Sequence, residues 1–161
     1  MTIEITTPDE ETADVFAPPP LILLASLGIG LSADRVMGLT FEGWVLPRII
    51  LGGALVAGAI VLGLAGLTRF RRAGTAVEPW HPSTQLVTDG VFARTRNPMY
   101  VALVMLQLGI GFAFGGPVTL LLVIPLAMIL HSGVVLAEER YLDRKFGAPY
   151  RAYRDRVRRY L

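Results

Sequence analysis

The sequence predicts an all-α, polytopic membrane protein with four transmembrane helices and a helical cytoplasmic C-terminal tail. Three observations support this prediction. Hydrophobic residues make up 53% of the 161 residues and charged residues only 17%, a balance outside that of soluble domains. The uncharged residues form long runs, and the basic residues cluster between and after those runs.

The acidic start of the chain is predicted to be a disordered tail, residues 1–16, ahead of one membrane domain, residues 17–161. The tail has five carboxylates and no Lys or Arg, so it lacks the positive segment of a signal peptide and has the composition of a disordered region. The prolines at 18–20 suit the first turn of a helix. The first span is therefore predicted at about 17–37.

The second span is predicted at about 48–68. Twenty consecutive uncharged residues end there at Thr68, which is enough to cross a bilayer. Small residues in this span would let a neighbouring helix approach closely. They form the pairs Ala54 with Gly58 and Ala59 with Gly63.

The longest uncharged run must fold back on itself. The 41 residues from Asn97 to Ala137 contain no Asp, Glu, Lys or Arg, and as one helix they would extend about 60 Å, twice the hydrocarbon thickness. Gly115, Gly116 and Pro117 supply a turn. The third and fourth spans are therefore predicted at 98–114 and 117–137, with a kink at Pro125.

The C-terminal tail, residues 138–161, is polar and is predicted to contain two short helices separated by Gly147 and Pro149. Aromatic and apolar residues recur at helical spacing in the second helix. This pattern predicts a helix in the headgroup region, with its aromatic residues inward and its arginines toward anionic membrane lipids. The recurring residues are Tyr150, Tyr153, Val157 and Tyr160.

The distribution of basic residues predicts which side of the membrane each loop occupies. Four spans put the N-terminus, the 69–97 loop and the tail on one side, with 13 of the 15 basic residues, against Arg35 and Arg48 on the other. The positive-inside rule makes the richer side cytoplasmic. We therefore predict a multi-pass integral membrane protein with both termini and its active site on the cytoplasmic side.

Composition also limits the chemistry. The chain has no cysteine and only two histidines, fifty residues apart, which leaves little material for a metal site. We predict no metal and no nucleic-acid partner. The oligomeric state stays open.

Four residues near the predicted membrane surface are candidates for function. Arg96 and Asn97 precede the third span, where helical N–H groups favour an anion, and Arg96 can clamp a carboxylate or phosphate or simply anchor the topology. Glu138 and Glu139 end the last span, where acidic residues are functional candidates or pair with arginines of another helix. Together they predict a membrane-embedded pocket for a zwitterionic or anionic ligand.

Polar and small residues inside the last two spans have weaker signals. Gly109 and Gly111 would allow close approach of a ligand or of another helix. Gln107 is expected to join helices by hydrogen bonding, and an interhelical hydrogen bond is also the favoured role of His131.

Two segments closely resemble the isoprenylcysteine carboxyl methyltransferase family and its phospholipid methyltransferase relatives. They are LVTDGVFARTRNPMYVALVMLQLGIGF at 86–112 and EERYLDRKFGAPYRAYRDRVRR at 138–159, in the order and spacing of the family. The resemblance implies methyl transfer from S-adenosylmethionine to a lipophilic acceptor, with O-methylation of a carboxylate as the first expectation. Asn97 stands where the best-known members have histidine, and Phe92 where they have tyrosine.

The resemblance also implies roles for individual residues. Arg96 would orient the acceptor's carboxylate or headgroup, and Glu139 would be the main carboxylate that holds the cofactor's polar groups. Leu86 and Val87 would contact the adenine of the cofactor. The other cofactor-binding residues that the resemblance implies are Asn97, Tyr100, Glu138 and Glu139. We add Gly109 and Gly111 to this predicted cofactor-binding set.

Three alternatives remain open at the level of sequence. A phospholipid or small-molecule N- or S-methyltransferase would share these motifs. An NADPH-dependent sterol-type reductase resembles the same region, although the paired glutamates and the RNPMY box favour a methyltransferase. A non-enzymatic membrane adaptor would use the basic tail only to bind lipid.

Overall fold

The computed structural model describes residues 13, 15, 17–75 and 81–160, so the predicted disordered tail lies outside it except for Ala13 and Val15. Within these ranges the chain is helical and forms no β-strand, which confirms the all-α prediction. The α-helices are α1 (Pro19–Met37), α2 (Val45–Ala73), α3 (Pro98–Phe114), α4 (Pro117–Leu121), α5 (Val123–Leu130), α6 (Leu136–Phe146) and α7 (Ala148–Arg156).

Three helical stretches in the described chain are long and apolar enough to cross a membrane: α1, α2 and the run Pro117–Phe146 that contains α4 to α6. Helix α3 contains no charged residue but is shorter, with 17 residues. Helix α2 extends beyond its predicted limits of 48–68. Its last turn carries Arg71 and Arg72, whose long side chains can extend along the helix toward the headgroups, so the helix need not end where the uncharged run ends.

Helix α1 is joined to the start of α4 through Asp34. One carboxylate oxygen accepts from the Val118 N–H at 2.9 Å, and the other from the Thr119 N–H at 3.1 Å and the Thr119 hydroxyl at 2.7 Å. The first N–H groups of a helix have no partner within it, so a carboxylate from α1 supplies one. The apolar core continues along the same two helical stretches and consists of Leu23, Leu27, Leu126, Leu130 and Val134.

Helices α2 and α3 approach each other with their backbones almost in contact. A Cβ atom at Gly52 would lie 2.6 Å from the Gly109 carbonyl oxygen and from the Ala113 nitrogen. The buried residues of α2 are Gly52, Ala59 and Gly66, and their seven-residue spacing is that of a coiled-coil seam. The predicted close approach is confirmed, but Ala54 was wrongly included, because it is exposed.

The predicted turn between the third and fourth spans is confirmed. Gly115 has a φ of +68° and ends α3, and Pro117 begins α4. The following run is interrupted at Leu122, because Pro125 has no N–H to donate to the carbonyl four residues earlier. A π-helical segment, His131–Val135, then precedes α6.

The C-terminal tail folds back onto the rest of the protein. Gly147, with a φ of +57°, separates α6 from α7 as predicted, and Tyr150 and Tyr153 of α7 are 1% and 4% exposed. Residues 157–160, which we call the C-terminal strap, return to the start of α3, where the Arg96 N–H donates to the Arg158 carbonyl at 2.9 Å. The inward aromatic face of α7 is thus packed on protein.

The contact between α2 and α3 predicts different effects at two adjacent glycines. Gly52→Ala should lower the free energy of unfolding by about 1–3 kcal/mol, since the added methyl group meets backbone atoms of α3. Gly53→Ala should leave stability unchanged or slightly raised, because its Cβ would have open space. Thermal unfolding followed by circular dichroism in detergent measures both, and equal melting temperatures for the two variants would contradict this packing.

Candidate active site

The predicted site residues meet at one end of the helices, where the loop before α3 is fixed to two other elements. Phe92, in a short 3-10 turn at Gly90–Ala93, packs edge-to-face on Phe70 of α2, with ring centroids 5.1 Å apart. The Tyr153 hydroxyl of α7 donates to the Phe92 carbonyl at 2.7 Å. Phe92 therefore holds the loop that carries Arg96 and Asn97.

Glu139 lies between two arginines from different parts of the chain. Its Oε1 is 3.3 Å from Arg96 Nη2 and 3.0 Å from Arg159 Nε, and its Oε2 is 2.8 Å from Arg159 Nη2. The side chains of Arg96 and Glu139 are only 9% and 13% exposed. The pairing of Glu139 with arginines outside its own helix, one of the two alternatives from the sequence, is therefore observed.

Glu138 has a different partner. The Tyr100 hydroxyl of α3 donates to Glu138 Oε2 at 2.7 Å. This hydrogen bond ties the start of α3 to the start of α6. The two adjacent glutamates thus face different surroundings, one a phenol and the other two guanidinium groups.

Asn97 is buried and holds the C-terminal strap. Its side-chain N–H donates to the Arg159 carbonyl at 3.0 Å, and the Thr95 hydroxyl donates to the same carbonyl at 3.2 Å. The resemblance implies that Asn97 contacts the cofactor, and this stays a prediction. In the structure the residue also fixes the position of the strap.

Two cavities meet at this cluster. The larger, about 580 Å³, is mostly apolar and lies between α2, α3 and the start of α1, and its volume is within the usual range for ligand pockets. The smaller, about 40 Å³, lies among the 83–87 loop, α6 and α7, with Leu86 and Val87 in its wall. Both cavities are lined by Phe70, Phe92, Arg96, Asn97 and Glu138.

Arg96 offers hydrogen-bond donors at the junction of the cavities. Its Nε and Nη1 atoms are buried and have no hydrogen-bond partner among the described residues. A buried donor without a partner is costly. This arrangement is therefore suited to a ligand that carries an anionic oxygen.

Other predicted residues lie away from this junction. Gly109 abuts Gly52 and Val56 of α2, and Gly111 abuts Leu120, so helix packing accounts for both glycines. Gln107 joins helices as predicted, by donating to the Thr119 carbonyl at 3.1 Å.

His131 is also engaged elsewhere in the structure. Its Nδ1 is 2.7 Å from the Tyr160 hydroxyl of the strap. The expected hydrogen bond is present, but the prediction that it joins two helices was wrong, because the strap is not helical. Across the described residues no group of three His, Cys, Asp or Glu side chains is placed to hold a metal ion.

Sequence reasoning missed Arg159. The sequence assigned it with its neighbours to the lipid-facing arginines of a helix, but α7 ends at Arg156 and the strap is not helical. Arg158 remains exposed while Arg159 turns inward. No sequence pattern distinguishes these two residues, because the residue at which the helix ends determines which of the two side chains points inward.

Comparison with known proteins places these observations in a family. The family model described as phospholipid methyltransferase matches residues 47–149. The chain belongs to this family. The matched region contains all of the predicted site residues, and together with the apolar helices it indicates a membrane methyltransferase.

Two relatives resemble shorter parts of the chain. Protein-S-isoprenylcysteine O-methyltransferase of Schizosaccharomyces pombe is 38% identical over 72 residues, which are 45% of this chain and 30% of that protein. An uncharacterized protein of Haemophilus influenzae is 35% identical over 63 residues, which are 39% of this chain and 100% of that protein. The chain thus spans less than a third of the length of the S. pombe relative. No solved structure matches.

The two buried tyrosines of α7 make stability sensitive to alkaline pH. Burial, and then the charge of Glu139, raise the pKa of Tyr150 from 10.0 to about 12, while the charge of Arg96 acts in the opposite direction. Burial likewise raises the pKa of Tyr153. The folded state holds these protons more tightly than the unfolded state. The stabilisation is therefore complete at pH values below the tyrosine pKa of the unfolded state, and it is lost as pH rises through the tyrosine pKa of the folded state.

We therefore expect the unfolding midpoint to fall as pH rises from about 10 to about 12, with a smaller fall for Tyr150→Phe. Denaturant unfolding at a series of pH values measures this, and tyrosinate absorbance identifies the ionising groups. The outcome against this prediction is ionisation of Tyr150 near its ordinary pKa while the protein is still folded.

Proposed function

We propose that this protein is an S-adenosylmethionine-dependent methyltransferase that acts on a lipophilic acceptor with an anionic group, by O-methylation of a carboxylate as in isoprenylcysteine carboxyl methyltransferases. The observation that carries the proposal is the junction of the two cavities. There a large apolar cavity meets a smaller one with a greater share of polar lining, and Arg96 has buried donors without partners among the described residues.

The polar groups at the junction of the cavities suit such a cofactor. Bound there, it would supply a methyl group on a sulfonium, which is transferred by in-line displacement. Glu139 would hold its polar end, and Leu86 and Val87 would contact its adenine. The smaller cavity holds about 40 Å³, far less than a nucleoside needs, so binding there requires the surrounding segments to move apart.

The chain's contribution to such a reaction is alignment and exclusion of water. Displacement at a sulfonium depends on the approach of the two reacting groups, and burial keeps competing water away. A carboxylate acceptor needs no general base. Arg96 would hold that carboxylate at the end of the larger cavity, whose apolar wall suits an isoprenoid or acyl chain.

A phospholipid N-methyltransferase is the second candidate, and the family description favours it. An amine acceptor must lose a proton during the reaction. Glu138 lies in the wall of the larger cavity and accepts a hydrogen bond from Tyr100. In this second candidate reaction it would receive that proton. Arg96 would then bind the phosphate of the lipid.

We propose further that the protein crosses the membrane four times, with the site on the cytoplasmic side. The strap packs on the loop before α3, so the basic clusters of loop and tail lie together. At the opposite ends of the helices, the Phe41 N–H donates to the Gly115 carbonyl at 2.9 Å. Exposed tail arginines would bind anionic lipid; they include Arg151, Arg154 and Arg156.

Binding and turnover of two variants test the proposed reaction. We expect Arg96→Ala to lower methyl transfer more than affinity for S-adenosylhomocysteine, because Arg96 holds the acceptor, and Glu139→Gln to do the reverse. Calorimetry measures the affinity, and transfer of labelled methyl groups into a membrane lipid extract measures turnover, with the methylated product then identified. Arg94→Ala removes an exposed arginine two residues away and should match the parent.

The same titrations separate the alternatives. Binding of NADPH without S-adenosylhomocysteine would favour a reductase. If neither compound binds to the parent or to Glu139→Gln, the non-enzymatic adaptor is favoured. Variants of Arg96 and Glu139 that both behave like the parent would show that the site is wrongly placed.

The absence of cysteine allows a direct test of the topology. Single-cysteine variants at the exposed residues Gln85 and Asp155 should react with a membrane-impermeant maleimide only from the cytoplasmic side, and Glu42→Cys only from the other side. Intact cells and inverted vesicles provide the two orientations. Labelling of Glu42→Cys and Asp155→Cys from the same side would rule out four crossings.

A further inference from the structure

The arginine pair around Glu139 is unequal. Arg159 makes two short contacts with the carboxylate, at 3.0 and 2.8 Å, whereas Arg96 makes a single longer one at 3.3 Å. Two parallel hydrogen bonds of this kind are the strongest arrangement for a guanidinium and a carboxylate. Glu139 is therefore held mainly by Arg159.

Because Glu139 is held mainly by Arg159, Arg96 keeps hydrogen-bond donors that Glu139 does not use. Arg96 keeps two buried nitrogens without partners among the described residues, at the junction of both cavities. The three side chains together carry one more positive than negative charge. A buried carboxylate needs a partner. If Arg159 did not occupy both oxygens of Glu139, Arg96 would itself form the two parallel hydrogen bonds to this carboxylate and would no longer have free donors.

The backbone of Arg159 is also fixed. Its carbonyl accepts from Asn97 at 3.0 Å and from Thr95 at 3.2 Å, and the preceding carbonyl accepts from the Arg96 N–H at 2.9 Å. The same short segment that carries Arg96 thus determines where the Arg159 side chain begins. The strap and the loop form one unit around Glu139.

We infer that Arg159 is a positioning residue: by neutralising Glu139 it leaves Arg96 free to bind the carboxylate or phosphate of a ligand in the larger cavity. This inference rests on the proposed function, which gives Arg96 the acceptor's anionic group. Asn97 contributes by holding the strap. The anion belongs either to the acceptor or to the cofactor's amino-acid end, and both have the same oxygen chemistry.

Two probes that differ only in charge test this role. Decanoate carries an apolar chain and a carboxylate, and decanol carries the same chain without the charge. Calorimetry in nanodiscs should show that the parent prefers decanoate and that Arg159→Gln reduces decanoate affinity about tenfold, the effect of losing one hydrogen bond to a charged group. Decanol affinity should not change, and Arg159→Lys should recover part of the loss.

Matched variants separate this role from a structural one. Arg158→Gln removes an equal charge from the same strap, but its side chain is exposed, so it should bind decanoate like the parent. Tyr160→Phe removes the hydrogen bond between the strap and His131 and should have a smaller effect than Arg159→Gln. The double variant Arg159→Gln/Glu139→Gln should bind decanoate no worse than Glu139→Gln alone, because without the carboxylate there is nothing to neutralise.

A parallel titration with S-adenosylhomocysteine identifies the source of the anion. Loss of decanoate affinity alone assigns the anion to the acceptor and supports the role of Arg159. Loss of S-adenosylhomocysteine affinity alone would show that Arg159 acts through the cofactor contact of Glu139, and would overturn the inference. Unchanged affinities for both in Arg159→Gln, an equal loss in Arg158→Gln, or additive losses in the double variant would overturn the inference. If the parent binds decanoate but not S-adenosylhomocysteine, the proposed function fails and the role of Arg159 is decided by decanoate alone.

Discussion

A carboxylate enclosed at the end of apolar helices needs hydrogen-bond donors from within the protein, and the two arginines that meet this need at Glu139 organise one end of the molecule. Arg96 reaches it from the loop before α3 and Arg159 from the C-terminal strap. Removal of one partner from a buried ion pair costs far more than the pair contributes. The loop, α6 and the strap are therefore coupled, although they are distant in sequence.

The helices hold this cluster at one end of the apolar cavity. Close packing at Gly52 and Gly109 sets how near α3 lies to α2, and the larger cavity occupies the space between these helices further along, where Gly63 and Ala102 line it. Tyr100, in the first turn of α3, reaches across to Glu138. The same helix thus provides a wall for a lipophilic chain and a polar contact for the chemistry.

Helix positions were predictable because long uncharged runs and the Gly115–Pro117 turn leave few alternatives in a membrane. The pairing of Glu139 with arginine was predictable as one of two alternatives, but its partners were not. Arg159 turns inward only because α7 ends at Arg156. Ala54 was assigned by four-residue spacing, whereas the helices pack along a seven-residue repeat that includes Gly52 and Ala59. These details depend on contacts between elements.

The π-helical segment at His131–Val135 has a consequence for how this protein can change over evolutionary time. Such a segment accommodates one additional residue in an α-helix, and each residue rotates the following side chains by about 100°. Deletion of any one residue there would restore a regular helix and leave its hydrophobicity almost intact. It would also turn Glu138 and Glu139 away from Tyr100 and Arg96. We therefore expect a deletion in this stretch to disturb the site more than a substitution that keeps its length.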